Sequence, residues 1–370
     1  MWIALLTEAH LHYSRRISLA AATYLRSLEE RPKIAMIPSG HLCNPGWLDR
    51  VGSWAGAMGY ARQDDLAFAA EEGIPMISCA TSAGADVARV LPDHRAIGRL
   101  AGQHLLEMGH RRVGFVNYPA VRIWQDRQEG LRETIEAAGG TVSPIPWSGD
   151  ATDELREQLV GFTAAMTPTD CDAERLIDVA MELGLRVPQD LAVIGVDNDA
   201  FLCEMAEVPL TSVDPGPDAI GLAAAETLWE ALQGGSTPPM TVQHMEPRGL
   251  AVRLSTDHLA HEDDCLRRAL QFIRDHGCEE ITVDSIMQDM DISRRTLEVR
   301  FKKALGRTPL QEIHRVRFER AKRLLTETSL RITDIAHRCG YPDHCRFSTE
   351  FRRHVGMPPS DFRRNHTSIS

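Results

Sequence analysis

Two stretches decide how the carboxyl-terminal region folds: residues 281–313, ITVDSIMQDMDISRRTLEVRFKKALGRTPLQEI, and residues 331–363, RITDIAHRCGYPDHCRFSTEFRRHVGMPPSDFR. Each opens with apolar positions at helical spacing, Val283, Ile286 and Met290 in the first and Ile332, Ile335 and Ala336 in the second. A turn follows, then a basic segment whose apolar residues recur every fourth position, Leu297, Phe301, Leu305 and Phe347, Phe351, Val355. Each ends in Gly-x-x-Pro, Gly306 to Pro309 and Gly356 to Pro359, a helix stop followed by a helix start. The pattern predicts two helix-turn-helix units, 281–305 and 331–355, joined by a long helix over 309–326.

Outward from this repeat, helices are expected at about 263–276, 282–290, 293–304, 309–326, 331–339, 343–354 and 359–364, an all-α module. Ahead of it STDHLAHEDDC is polar and acidic, which places residues 1–255 in one domain, 256–262 in a linker and 263–370 in a second domain. The first domain alternates short apolar runs with amphipathic ones. IALL (3–6), KIAMI (33–37), PMISCA (75–80), RRVGFV (111–116) and LAVIGVD (191–197) have the continuous apolar character of strands covered on both faces. Helical patterns such as AIGRLAGQHLLEMG and AERLIDVAMELG lie between them, so the class is α/β with parallel strands and crossover helices. Residues 50–66 and 147–170 give no clear register.

The chain has 370 residues with 43% apolar and 25% charged side chains, which excludes a disordered or disulfide-stapled protein. No run approaches the length of a membrane span, and the start lacks a basic leader and a cleavage site, so a cytoplasmic protein is expected. The 8 cysteines are dispersed without C-x-x-C spacing and are expected to be reduced. His337, Cys339, His344 and Cys345 find their places in helices, and no metal or cofactor is expected. Net charge is -11, yet residues 285–370 carry 18 Lys plus Arg against 10 Asp plus Glu. A polyanion would be attracted there. No G-x-G-x-x-G follows the first strand, and neither a P-loop nor a G-x-S-x-G elbow occurs. Enzymatic readings, a sugar-modifying activity among them, therefore lack a motif.

A helix-turn-helix offers the start of its second helix to base edges in the major groove, and two such units on a rigid connector suit groove segments about 34 Å apart. In the first unit the candidates are Ser293, Arg294, Arg295, Glu298 and Arg300; in the second, Pro342, Asp343, His344, Arg346 and Thr349. Arg294 and Arg295 suit guanine, whereas Lys302, Lys303, Arg352 and Arg353 suit phosphates. The alternative for any one arginine is a solvated helix face.

These segments, with the connecting QEIHRVRFERAKRLLTETSLRITDIAHRCGY, resemble the DNA-binding domain of the AraC/XylS transcription regulators over most of residues 281–364. That resemblance implies binding to double-stranded operator DNA, commonly as a homodimer, and contact with RNA polymerase if the protein activates. The second recognition helix departs at Asp343-His344-Cys345, where small or polar residues are frequent.

The α/β region resembles the effector-binding domain of the LacI/GalR regulators over roughly residues 2–254, through AIGRLAGQHLLEMGHRRVGFV, WQDRQEGLRETIEAAG and LRVPQDLAVIGVDNDAFLCEMAEVPLTSVD. It implies two periplasmic-binding-protein-like lobes with a small molecule between them. Placing this sensor before an AraC-type module resembles the regulators of xylose operons, which implies D-xylose or another small pentose as effector and activation of a catabolic operon. A different small ligand, or a DNA-binding role insensitive to ligand, is the alternative.

Within the sensor the resemblance implies that Arg127 and Asp197 meet the ligand from one lobe each; a structural salt bridge is the competing reading. Trp124 suits a sugar face or plain core, and Thr169 stands where the family has asparagine. Glu8 and Tyr13 follow the first strand at the mouth, Asp93 is a ligand group or a helix cap, and Asn198 and Asp199 are placed to orient Asp197.

Overall fold

The computed structural model describes residues 1–80, 87–117, 124–147, 150–257, 264–279, 281–288, 290, 292–305 and 307–366. The chain divides into two compact units, Met1–His258 and Leu259–Ser370.

The first unit holds two sheets. Strands β1 (Trp2–Thr7), β2 (Lys33–Pro38), β3 (Gly56–Gly59), β4 (Met76–Ser78), β5 (Ala88–Pro92) and β11 (Val242–Met245) form an all-parallel sheet in the order β11-β5-β4-β3-β1-β2. The second sheet, ordered β12-β10-β9-β8-β6-β7, contains β6 (Arg112–Asn117), β7 (Thr141–Pro146), β8 (Ala164–Met166), β9 (Ala192–Val196), β10 (Thr211–Asp214) and β12 (Gly249–Ala251), the last antiparallel to β10. Helices α1 (His12–Ser27), α2 (Pro45–Val51), α3 (Gln63–Glu71) and α9 (Pro217–Gln233) belong to the first lobe. Helices α4 (His94–Glu107), α5 (Gln125–Ala137), α6 (Asp153–Val160), α7 (Asp170–Glu182) and α8 (Ala200–Met205) belong to the second.

The unbroken apolar run of β1 has a direct cause. Successive strand residues face opposite sides, and both sides are covered. Ile3 and Leu5 pack with Ile17 and Ala21 of α1 and Leu228 of α9, while Ala4 and Leu6 pack with Ile37, Trp54 and Ala69. In the second lobe Val193 of β9 faces one cluster and Ile194 the other. The chain crosses between lobes three times, from β5 into α4, from β10 into α9 and from β11 into β12.

The second unit is helical: α10 (Asp264–His276), α11 (Val283–Gln288), α12 (Arg294–Leu305), α13 (Pro309–Glu327), α14 (Ile332–Arg338), α15 (His344–Val355) and α16 (Pro359–His366). Thr308 and Gln311 close a capping box at the start of α13. Phe318, Ala321 and Leu325 on that helix pack against Ile335, Phe347 and Phe351, and the Phe318 and Phe351 rings meet edge to face at 5.8 Å. Burying each such phenyl ring stabilises by about 1.5–3 kcal/mol. Arg317 donates to the carbonyls of Gly277 at 2.6 Å and Glu279 at 2.7 Å, tying the end of α10 to the connector.

Candidate functional site

Parallel sheets offer ligand sites beyond the carboxyl ends of their strands, at the point where strand order reverses. That point lies between β1 and β3 in the first sheet and between β6 and β8 in the second. Glu8 and Tyr13 follow β1, Tyr60 follows β3, Trp124 and Arg127 follow β6, and Thr169 and Asp170 follow β8.

Arg127 is set by the packing of α5 on α4. A side chain on Gly98 would strike the Arg127 carbonyl, and one on Gly130 would strike the Arg95 carbonyl, so only glycines allow this approach. The Arg127 side chain is 6% exposed. Its guanidinium donates to His94 Nδ1 at 3.0 Å and to the Pro168 carbonyl. Burial lowers its pKa, opposed first by Asp197 and then by Tyr13. Since His94 Nδ1 accepts, its proton sits on Nε2, and burial and Arg127 keep the ring neutral, well below the usual histidine range.

Asp197 sits in the turn after β9 with φ +116°, followed by Asn198 at +47°. Two adjacent residues of this kind outside glycine store roughly 1–3 kcal/mol each, a pattern common at binding sites. Burial raises the Asp197 carboxyl to about 8, against the pull of Arg127. Asp170, 1% exposed, accepts from Ser212 Oγ at 2.5 Å and from the Asp199 amide at 2.8 Å, so it pins this turn. Burial raises Asp170 to about 7 although those donors favour its charged form.

The first lobe supplies Tyr13, whose buried hydroxyl has no hydrogen-bond partner among the described residues. Burial raises its pKa well above the usual tyrosine value, with Cys79, Asp197, Arg127 and Tyr60 all close enough to act on it. His12 Nδ1 lies 3.8 Å from Asp199 Oδ1, a second approach between lobes. The structure thus gathers Arg127, Asp197 and Tyr13 around one place.

Other candidates have partners of their own. Glu8 is held by Arg62, Nε to Oε1 at 2.6 Å. Asp93 caps α4 by accepting from the Ala96 amide at 2.8 Å. Thr169 caps α7, and its hydroxyl donates to Asp172 at 2.6 Å. Trp124, half-buried at the start of α5, packs against the second-lobe core. Asp170 stands at the aspartate of the asparagine-aspartate pair that the resemblance implies, whereas His94 and Tyr60 are not singled out from the sequence as ligand-facing groups; their only signal is position just after strand ends.

In the helical unit α12 and α15 are the second helices of the two repeats. Ser293 receives the Thr296 amide at 3.2 Å at the start of α12. Arg294 is braced by Glu298 at 3.1 Å and by Asp284 of α11 at 3.6 Å, whereas Arg295 is exposed. Arg300 is half-buried, and Lys302 and Lys303 are exposed near the helix end. On α15 Asp343 is the cap, accepting from the Arg346 amide at 2.8 Å. His344, Arg346, Arg352 and Arg353 are exposed, and Arg353 pairs with Glu350 at 3.1 Å. Leu297, Phe301, Phe347 and Phe351 are fully buried, so both helices offer solvent a polar, largely basic face.

Comparison with known proteins agrees with both halves. Residues 102–256 match the periplasmic binding protein-like domain and residues 286–365 a helix-turn-helix domain. The chain is 28% identical over 383 residues to the xylose operon regulatory protein of Escherichia coli (strain K12), covering 98% of this chain and 96% of that one. With the protein of the same description from Haemophilus influenzae it shares 32% identity over 296 residues, 75% of this chain and 74% of that one. The chain belongs to their family, the AraC-type regulators with a periplasmic-binding-protein-like sensor. The solved structure of a xylose-binding transcription activator matches this regulator with a TM-score of 0.55 and 25% identity, covering 99% of this chain and 98% of that one. The regulator is therefore a ligand-responsive DNA-binding transcription factor and not an enzyme. Among the described residues no helix is long and apolar enough to cross a membrane.

Proposed function

We propose that the protein is a cytoplasmic, D-xylose-dependent activator of a pentose catabolism operon. Residues 1–255 sense the sugar and dimerise, 256–262 link, and 263–370 bind operator DNA and engage RNA polymerase. The observation that carries the reading is the grouping of Arg127 and Asp197 with the Tyr13 hydroxyl, unpartnered among the described residues, on the opposite lobe. A pentose offers hydroxyls for Asp197 to accept and oxygens for Arg127 and Tyr13 to donate to. Contacts from both lobes favour the closed arrangement, which gives ligand binding a mechanical consequence. The names of the relatives support D-xylose over other sugars.

Calorimetric titration with D-xylose, and with L-arabinose, D-ribose and D-glucose as controls, tests this. Saturable heat with D-xylose alone is expected. Heat with another sugar only reassigns the effector, and heat with none contradicts the pentose assignment.

A further inference from the structure

The cleft turn meets the residues that lead into the DNA-binding unit directly at one side chain, beside the hydrogen bonds that both make to β10. Arg253, two residues beyond β12, donates to Asn198 Oδ1 at 3.1 Å, to the Leu210 carbonyl at 2.9 Å and to Glu204 at 2.7 Å. Asn198 directly follows Asp197 and shares its strained backbone. On the other side of Arg253, Ser255 and Thr256 are wholly buried. Ser255 Oγ donates to the Val193 carbonyl at 2.6 Å, and Thr256 Oγ1 lies 2.8 Å from Thr211 Oγ1 and 2.9 Å from His104 Nε2. Among the described residues the root's hydrogen bonds go to the second lobe, and Arg253 bonds it directly to a ligand-facing turn.

We propose that Arg253 is a positioning residue that transmits the state of the Asp197–Asn198 turn to the root at 252–257. It rests on reading the cleft as the effector site. A sugar that accepts or donates at Asp197 biases the turn between backbone states; the guanidinium, anchored by Glu204 and the Leu210 carbonyl, passes that bias along without touching ligand.

Amide hydrogen exchange on the full-length protein tests it, because the amides of Arg253, Ser255 and Asp257 all have acceptors at 2.8–2.9 Å. Four proteins are compared: wild type, Asn198→Ala, Arg253→Met and the double variant. Without sugar, Asn198→Ala is expected to speed exchange at the root about fivefold, the loss of one ordinary hydrogen bond. In the Arg253→Met background the same substitution is expected to add nothing. Equal effects in both backgrounds, or none in wild type, overturn the proposal. With D-xylose, wild type is expected to slow exchange at both the turn and the root, and Arg253→Met at the turn only; protection of both in Arg253→Met overturns it. No protection at the turn in wild type speaks against the pentose assignment, and the sugar-free comparison then decides the role of Arg253. Glu204→Gln, which touches Arg253 but not the cleft, is expected to preserve the response. If Arg253→Met does not fold, Arg253→Lys, which cannot reach all three acceptors together, replaces it.

Discussion

Replacing Arg127 with methionine keeps the aliphatic stem and removes the guanidinium that touches His94 and the Pro168 carbonyl and acts on Asp197. Two effects follow. A hydrogen bond from a charged donor to the sugar is worth roughly 1.5–3 kcal/mol, so D-xylose affinity is expected to fall about 10- to 150-fold. Stability changes less than for an ordinary broken buried ion pair, for which about 3–5 kcal/mol is usual. Asp197 already stands at about 8 and, without the cation, rises further, so it is protonated at neutral pH and leaves little bare charge behind. A loss of about 1–3 kcal/mol then lowers Tm by roughly 2–12 °C for a domain of this size. Titration calorimetry and thermal melts of the same preparations measure both. A variant that binds D-xylose within threefold of wild type refutes the placement of Arg127 at the ligand. An undiminished Tm refutes its bonds to His94 and Pro168.

Three further outcomes are expected. Arg295→Ala on α12 should cost about 1–3 kcal/mol of operator binding and relax preference at one base pair, whereas Arg352→Ala should weaken all sequences alike and reduce the salt slope by about 1, both read by fluorescence anisotropy against salt. The carboxyls of Asp170 and Asp197, at about 7 and about 8, bind protons in the folded state that the unfolded chain lacks above about pH 4. Their contribution therefore raises stability as pH falls from 9 to 7, before neutral His94, held well below 6.5, begins to oppose it; Asp170→Asn should flatten that rise in Tm, and an unaltered slope counts against it. Gly130→Ala should force α5 away from the Arg95 carbonyl, costing roughly 1–3 kcal/mol in denaturant melts and weakening the sugar titration as Arg127 moves.

How much was legible beforehand depended on whether periodicity or contact fixed each feature. In the helical unit the four-residue spacing of Leu297, Phe301, Leu305 and Phe347, Phe351, Val355 is itself the buried face, so α12 and α15 begin one residue from their expected starts. The runs IALL, RRVGFV and LAVIGVD became β1, β6 and β9, strands covered on both faces, whereas KIAMI, expected to be covered likewise, became the edge strand β2, which keeps one face exposed at Met36. Strand β3, GAMG, lies in the stretch with no clear register, since its neighbours leave little room for side chains and its residues show no strand preference. Strand β11 is mostly exposed and lacks an apolar signature. At the cleft, Arg127 and Asp197 were readable through resemblance. Asp93, Thr169 and Asp343 are residue types that serve a ligand or a helix end equally well, and only the amide each accepts from distinguishes the roles. Arg253 was invisible, because its partner Asn198 is 55 residues away and no spacing links them.

The central claim is that a sugar in the first unit controls DNA binding by the second. Selection of a random double-stranded DNA library by the full-length protein, with and without D-xylose, tests it most directly. The account predicts enriched sites with two short elements about one helical turn apart, one for each helix-turn-helix of a protomer, recovered more strongly with D-xylose than without. Enrichment that is the same with and without D-xylose, or no enrichment under either condition, would contradict it.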